Sequence, residues 1–309
     1  MEKKTTESPD ISIIIVNMNT EDWLKKCLKS IAKTKGDVSV EVIVVDNGST
    51  DESEAVARSI FPDVIWLPQG ENIGYVKANN VGMKAATGRF LMYLNNDTIM
   101  APGCLHELIA FLDRTPEASG ASPRICNPDG TDQGVARSFP TIMNGLFGRR
   151  SALTRLFPDN RWSRRFMTGR HYEGDEPLEC DVLSAACLVV RTDLAKELGG
   201  FDEDFTLYWV DSELLGRMRR RGYKSYMLPR ARITHFEGSG GSTSSFRQRC
   251  RMTIAFNRDS YLCYIKVLQL GPLDPRRLLA AGMLSARALL LMGAQLLRPG
   301  RATSSGGKN

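Results

Sequence analysis

Three apolar runs, Ile11-Ser12-Ile13-Ile14-Ile15-Val16, Val42-Ile43-Val44-Val45 and Phe90-Leu91-Met92-Tyr93-Leu94, each stop abruptly at an Asn or Asp. They are short, rich in β-branched residues and lack a polar/apolar alternation, the pattern of strands buried on both faces. The spacing predicts strands over 11–17, 41–46 and 89–94, with Val64-Ile65-Trp66-Leu67 as a further one. Helical patterns separate them. One opens at Thr20, with Thr20 as N-cap and Glu21 and Asp22 in the first turn, and runs to about Lys33. Others cover residues up to Ile60 and 75–86. Repeated strand–helix alternation predicts an α/β, doubly wound and mostly parallel sheet with helices on both faces. In such sheets ligands bind outside the carboxyl ends of the strands. Asn17, Asp46 and the run Asn95-Asn96-Asp97 therefore share one polar crevice.

Beyond the fourth strand the pattern predicts a helix over 102–114 with Pro102 at its start. Residues 122–180 mix Pro, Gly, Arg and scattered aromatics, and read as acceptor-facing loops with a mobile segment. Regular structure returns as a strand over 181–191, helices over 192–198 and 211–221, short strands over 225–228 and 232–235, and a Gly/Ser-rich loop over 238–245. Residues 278–297 are apolar except for Ser285, Arg287 and Gln295, with Arg276, Arg277, Arg298 and Arg301 flanking them. An arginine at the centre of a bilayer costs about 2.5–3.5 kcal/mol on insertion scales. An interfacial helix, or one packed on the domain, fits this segment better than a span. The chain thus divides into a flexible start (1–10), a domain over 11–245 with halves meeting near 120, a helical and membrane-associated segment over 246–298, and a disordered tail over 299–309.

The 309 residues, 42% hydrophobic and 25% charged, are ordinary for a globular protein. The net charge of +6 matters less than its distribution. Arg149, Arg150, Arg155, Arg161, Arg164, Arg165 and Arg170 crowd one segment; Arg217, Arg219, Arg220, Arg221 and Lys224 form a second cluster, and Arg247, Arg249, Arg251 and Arg258 a third. Such clusters either bind phosphorylated ligands or anionic lipid, or are solvated helix faces. The seven cysteines have neither a CxxC pair nor a regular spacing, which predicts buried free thiols in a reducing compartment. Residues 1–10 are charged and lack an apolar core, so no secretory signal is predicted.

Four side chains carry the candidate chemistry. Asp46 can accept hydrogen bonds from a base imide or a ribose hydroxyl. Asp97 can hold a hard divalent cation. His235 can supply a second metal ligand or a donor to a diphosphate. Asp211 follows the stretch Phe205-Thr206-Leu207-Tyr208-Trp209-Val210 and opens a helix. Each also has a plainer reading: Asp46 and Asp97 as turn formers, Asp211 as an N-cap, His235 as a satisfied sheet-edge histidine.

The motifs Ile13-Ile14-Ile15-Val16-Asn17-Met18-Asn19, Val44-Val45-Asp46-Asn47-Gly48-Ser49-Thr50-Asp51, Asn72-Ile73-Gly74-Tyr75, Leu94-Asn95-Asn96-Asp97-Thr98, Ser184-Ala185-Ala186-Cys187, Gly199-Gly200-Phe201-Asp202 and Asp211-Ser212-Glu213 occur in that order. As a set, over residues 11–240, they resemble glycosyltransferase family 2, inverting enzymes of the GT-A fold, and within it rhamnosyltransferases of cell-envelope polysaccharide synthesis. The resemblance implies a nucleotide-diphosphate sugar donor, dTDP-rhamnose or a UDP-sugar, and a saccharide or lipid-linked acceptor. It implies nucleotide contacts from Asn17, Asp46, Asn72, Asn95 and Asn96, with Lys77 adding positive charge towards the diphosphate. Asp97 and His235 stand at positions that hold Mn2+ or Mg2+, and Asp211 at the general base. A cytoplasmic place at the inner face of the plasma membrane, in contact with anionic lipid, is expected from the cysteines, the charged start and the arginine-flanked apolar tail. Met18 stands where an aromatic often lines the base pocket, the metal motif has a single carboxylate, and Val210 replaces the acid that usually precedes the base. Glu213, two residues along the helix, points about 160–200° away from Asp211.

Other function classes fit less well. A sugar-phosphate nucleotidyltransferase would carry a Gly-rich basic loop after the first strand, where this chain has Asn17-Met18-Asn19-Thr20-Glu21-Asp22. A dinucleotide oxidoreductase would carry GxGxxG there. No recognised nucleic-acid module frames the arginines. A non-catalytic binding or scaffold member of the same fold would not need Asp46, Asp97, Asp211 and His235 together.

Overall fold

The apolar runs become parallel strands because both of their faces find partners. The computed structural model describes residues 8–139, 168–237 and 245–296, with 141, 156, 157, 160, 164 and 166 between the first two spans. Strands β1 (Ile11–Asn17), β2 (Val40–Asp46), β3 (Ile65–Pro68) and β4 (Phe90–Asn95) lie parallel in the order β3-β2-β1-β4. On one face Ile11, Ile13 and Ile15 pack with Leu24, Leu28 and Ile31 of α1 (Glu21–Thr34), beside α2 (Ser53–Ile60) and α4 (Cys104–Arg114). On the other, Ile14 and Tyr93 meet α3 (Tyr75–Ala85), α5 (Thr192–Glu197) and α6 (Val210–Arg220). The sheet is doubly wound, as the alternation predicts. α3 sits so close that a Cβ on Gly82 would lie 2.6 Å from Ile14 Cγ2 and 3.1 Å from Val45 Cγ2.

The second half extends the same sheet. Among the described residues nine strands form it, and the order continues from β4 through β8 (Cys187–Arg191), β6 (Ala118–Cys126) and β9 (Lys224–His235). Two three-residue strands, β5 (Thr98–Met100) and β7 (Leu178–Cys180), run antiparallel to β9 on its outer side. Several sequence expectations need correction here. β6 lies inside a region read partly as loops, because Ala118-Ser119-Gly120-Ala121-Ser122-Pro123 offers only small side chains to a strand pattern. The small residues are required: a Cβ on Gly120 would lie 2.7 Å from the Val189 carbonyl oxygen. The strand expected over 181–191 is ordered as β8 only from Cys187, since the backbone of Ala185 and Ala186 bonds Asp211 and Asn95 instead. The two strands expected at 225–228 and 232–235 are one strand whose register against β6 shifts between Pro123 and Arg124. Pro102 precedes α4, which begins at Cys104 after Gly103 with φ 76°.

Four of the five members of the second basic cluster make ion pairs: Arg217 with Glu213, Arg219 with Asp181, Arg221 with Glu197 and Lys224 with Glu179. Of the first cluster, Arg149, Arg150, Arg155, Arg161 and Arg165 lie outside the described residues, as do 1–7, part of the 122–180 stretch, most of the Gly/Ser-rich loop and the tail read as disordered. All seven cysteines are free; burial pushes the Cys27 thiol up to about 12.

Two further helices, α7 (Phe246–Val267) and α8 (Pro275–Leu296), pair with each other with an inverted polarity. Arg287 and Gln295 of α8 face α7, whereas Arg276 and Ser285 are exposed. Arg287 donates to Asn257 Oδ1 at 2.8 Å and lies over the Phe256 ring, and Gln295 Nε2 donates to Thr253 Oγ1 at 3.0 Å. Its leucines face outward, with Leu278 80%, Leu290 75% and Leu296 69% exposed. Each leaves unrealised about 1.5–3 kcal/mol that burial of such a side chain provides. By length and composition, with a mean hydropathy of 1.4, α8 could cross a membrane.

The tight α3–β1 contact sets a stability prediction. Gly82→Val should overpack the helix–sheet seam and cost about 1–3 kcal/mol, read as a lower urea midpoint with an unchanged slope.

Candidate functional site

Register brings the first site residues together. In the β1–β2 ladder Asn17 is the partner of Asp46, and in the β1–β4 ladder Val16 is the partner of Asn95. Three strands therefore end in polar side chains at one edge, with Asn17 and Asp46 on one face of the sheet and Asn95, opposite Val16, on the other. Asn17 is tied to the residues around it. Asn17 Nδ2 donates to Ser49 Oγ at 3.2 Å, and Asn17 Oδ1 accepts from Thr20 Oγ1 at 2.8 Å and Asn96 Nδ2 at 3.2 Å. Asn96 also donates to Thr20 Oγ1 at 2.6 Å. Thr20 occupies the N-cap position of α1, yet its side chain caps nothing; it serves this network instead. Asp46 is buried and accepts the Ser49 backbone N–H at 3.0 Å and the Ser49 hydroxyl. It does the work of a turn-forming Asp, and each carboxylate oxygen retains capacity for a further hydrogen bond.

The loop before α3 closes one side. Asn72 is exposed; its Oδ1 accepts the Gly74 N–H at 2.9 Å, and its Nδ2 reaches the sulfur of half-exposed Met18 at 3.1 Å. Lys77 is exposed on α3, two positions and about 200° around the helix from Tyr75. Since Tyr75 reaches Asn95, Lys77 starts out on the other side of the helix, away from the group at the strand ends.

Asp97 and His235 meet because β5 follows Asp97 directly and pairs with the end of β9. Thr98 is the ladder partner of His235, and the Phe236 N–H donates to the Asp97 carbonyl at 2.9 Å. Both side chains are buried, with His235 Nε2 3.2 Å from Asp97 Oδ1. Gln133, which no sequence pattern singles out, orients the ring. Its amide nitrogen donates to the His235 carbonyl at 2.9 Å and to Asn127 Oδ1 at 3.0 Å. That leaves its oxygen facing His235 Nδ1 at 3.0 Å, so Nδ1 carries the hydrogen. In the neutral ring Nε2 then turns its lone pair towards Asp97 and towards Asn95 Nδ2, 3.3 Å away.

A lone pair and a carboxylate oxygen facing each other call for a positive charge between them, either a proton on Nε2 or a metal ion. Two cis ligands of an octahedral ion at 2.0–2.1 Å would stand about 3 Å apart, close to the separation observed. Among the described residues no group of three or more His, Cys, Asp and Glu side chains could hold a metal ion. The protein thus offers two donors, which suits a hard cation that keeps waters and substrate phosphates as its other ligands. The donor set fits such an ion.

Asp211 arrives from the far side of the sheet. The N-cap position of α6 is Trp209, so Asp211 lies inside the first turn and is not the cap. Its Oδ2 accepts the Ala185 N–H at 3.1 Å, and its Oδ1 accepts the Ser212 N–H at 2.6 Å and the Ser212 hydroxyl at 3.1 Å. The adjacent Ala186 carbonyl accepts the Asn95 N–H at 3.0 Å. Two hydrogen bonds and one dipeptide thus separate the Asp211 carboxylate from the strand end that carries Asn95 and Asp97. Tyr75 senses both acids: its hydroxyl is 3.5 Å from Asn95 Oδ1, and its ionisation is pushed up first by burial and then by the charges of Asp211 and Asp97. Glu213 is turned away, buried and held by Arg217 Nε at 2.9–3.0 Å. Burial, more than any neighbour, raises its pKa.

Strain accumulates beside Asp211. Trp209 has φ 65°, a left-handed conformation costing roughly 1–2 kcal/mol for an L-residue, and its buried indole N–H has no hydrogen-bond partner among the described residues. Such outliers concentrate at functional sites.

With this geometry in view, comparison with known proteins gives a consistent picture. The family model "Glycosyl transferase family 2" matches residues 12–184. A curated relative, N-acetylglucosaminyl-diphospho-decaprenol L-rhamnosyltransferase of Mycobacterium tuberculosis, is 27% identical over 94% of this chain and 95% of its own. A mannosyltransferase of Pyrobaculum calidifontis, solved with GDP-Man and Mn2+, aligns with a TM-score of 0.57 at 20% identity, over 98% of this chain and 77% of its own. GalNAc-T7, solved with UDP, GalNAc and Mn2+, aligns with a TM-score of 0.59 at 16% identity, over 85% of this chain and 48% of its own. The two structural likenesses carry the fold.

The Gln133 contact makes a prediction of its own. Nitrogen-15 spectra of neutral His235 should show the Nδ1–H tautomer, and Gln133→Leu should shift it towards a tautomer mixture. An unchanged tautomer in that variant would remove Gln133 from this role.

Proposed function

Because this chain belongs to glycosyl transferase family 2, we propose that it is an inverting glycosyltransferase acting at the sheet edge described above. It moves a sugar from a nucleoside diphosphate, dTDP-rhamnose or a UDP-sugar, to a hydroxyl of a saccharide carried on a lipid diphosphate. The observation that carries this reading is the Asp211 carboxylate, tied through Ala185 and Ala186 to the strand end that bears Asn95 and Asp97. One ionised carboxylate beside a metal-and-diphosphate site is what a single displacement requires. Asp211 accepts the proton of the acceptor hydroxyl while that oxygen bonds the anomeric carbon. The bond from this carbon to the donor phosphate breaks on the opposite side, and the nucleoside diphosphate leaves.

The remaining residues bind and orient. Asp46 accepts from the base imide or ribose, with Asn17, Asn72, Asn95 and Asn96 around the nucleotide. Lys77 has only its long side chain with which to reach a phosphate. Asp97 and His235 would hold Mn2+ or Mg2+, which offsets the charge that develops on the leaving diphosphate. Gln133 keeps the His235 lone pair aimed at that position.

The acceptor class rests on the mycobacterial relative, whose name specifies a diphospho-decaprenol. The inverted polarity of α8 supports the same setting. Outward leucines next to Arg247, Arg249, Arg251, Arg276 and Arg277 suit the interface of an anionic membrane, here the inner face of the plasma membrane. Arg287 faces α7, so its charge need not enter lipid.

A thermal-shift screen of UDP, dTDP, GDP and their sugar conjugates, with and without Mn2+, names the base and tests the cation. Asp211→Asn should lower turnover by roughly 10²–10⁴-fold while leaving nucleoside diphosphate binding intact; near-normal turnover would remove Asp211 from its role. Asp97→Ala should abolish the increment that Mn2+ adds to nucleotide binding, and equal nucleotide affinity with and without chelator in the unmutated protein would count against the cation. In flotation assays the protein should rise with anionic vesicles, and the double variant Leu289→Glu, Leu290→Glu should stay below.

A further inference from the structure

Among the described residues one carboxylate is wholly enclosed and has no part in the assignments above: Asp259, on α7. A single oxygen, Oδ2, accepts the backbone N–H groups of Thr206, Leu207 and Tyr208, each at 3.1 Å, and the Thr206 hydroxyl at 2.6 Å. Successive N–H groups converging on one anion form a nest. The other oxygen, Oδ1, takes Arg258 Nη1 at 3.2 Å. One turn earlier on α7, the Phe256 ring packs against Tyr208 at 5.1 Å and Trp209 at 5.9 Å between centroids. Directly after the nest come the left-handed Trp209, the first helical residue Val210, and Asp211.

We propose that Asp259 is a positioning residue for Asp211, fixing residues 206–208 so that the strained turn at Trp209 delivers the Asp211 carboxylate to Ala185 and the strand ends. The proposal rests on the reading of Asp211 as the base. The physical case is one of constraint. Three parallel N–H groups at one oxygen leave the loop a single arrangement, and the next residue holds a conformation that an untethered chain would abandon. Without the buried anion those N–H groups would seek water, the turn would relax, and the carboxylate would leave its bond to Ala185. Among the described residues no hydrogen bond or ion pair joins Asp259 to Asn17, Asp46, Asp97 or His235, so nucleotide binding should not depend on it.

The test uses the full chain and separates turnover from nucleotide binding. Turnover is followed as nucleoside diphosphate release, with the sugar nucleotide selected by the thermal-shift screen and an N-acetylglucosaminyl diphosphate lipid as acceptor. Binding is measured by calorimetry with dTDP and UDP in the presence of Mn2+. Asp259→Asn should lower kcat by about 10- to 100-fold, the loss expected from a misplacement near 1 Å, with the nucleotide Kd unchanged. Thr206→Val, which removes one donor to the nest, should lower kcat several-fold, and Thr206→Ser should restore it; this pair carries the test where Asp259→Asn does not fold. Unchanged kcat in a folded Asp259→Asn or Thr206→Val protein overturns the proposal. So does a parallel loss of kcat and nucleotide affinity, which would mark a purely structural role. Asp211→Asn measured alongside distinguishes the two ideas: turnover retained there removes the base, whereas turnover lost there but kept in Asp259→Asn removes only the positioning.

Discussion

Side chains alternate along a strand with a period of two, so a slip of one residue in a ladder reverses every side chain. In this protein that rule sets both the core and the site. With Asn17 opposite Asp46 and Val16 opposite Asn95, Ile11, Ile13 and Ile15 face α1 while Ile14 faces α3. Slipping β1 by one position would exchange those layers and pull Asn17 out of line with its neighbours. Strands buried on both sides have no polar alternation to mark their register. The change from apolar to polar falls at the strand ends instead, in step at 17 and 46 and one position earlier at 95, where Asn95 lies opposite Val16. The same change that tells each strand where to stop supplies the groups that line the crevice.

The second half of the chain completes the site through long-range contacts. His235 reaches Asp97 only because a three-residue strand after Asp97 pairs with the end of β9. Asp211 reaches Asn95 only because the segment before β8 gives its backbone groups to both of them. Each junction is a few hydrogen bonds in a buried place, where an unmade bond costs about 1–3 kcal/mol. That cost keeps these elements seated where length alone would not.

This division explains what could be read from the sequence. Strands β1 to β4 and the helices between them were legible because each is a local pattern. Asn17, Asp46 and the run to Asp97 were legible as strand ends. The pairing of Asp97 with His235, and the place of Asp211, came only from the order of motifs. β6 was illegible because small side chains give no periodicity, even though close packing against Val189 demands them. Gln133 carries no signal at all: an isolated glutamine in a Pro- and Gly-rich stretch acquires meaning only when the fold buries it against His235. Asp259, beside Arg258 of the third arginine cluster, is singled out by no sequence pattern, yet packing encloses it completely. Thr20 was placed correctly as the residue that opens α1, but its hydroxyl is turned to Asn17 and Asn96.

The helix that carries Asp259 also carries, along its length, the contacts that hold the outward-facing leucines of α8 in place. A tail of this kind is not interchangeable with an unrelated helix. A chain cut at residue 245 would leave the amides of 206–208 without the Asp259 carboxylate, whatever replaced the tail. Divergence in the tail among descendants of this chain is therefore expected to be tolerated on the leucine face and resisted on the face turned towards the turn at Trp209.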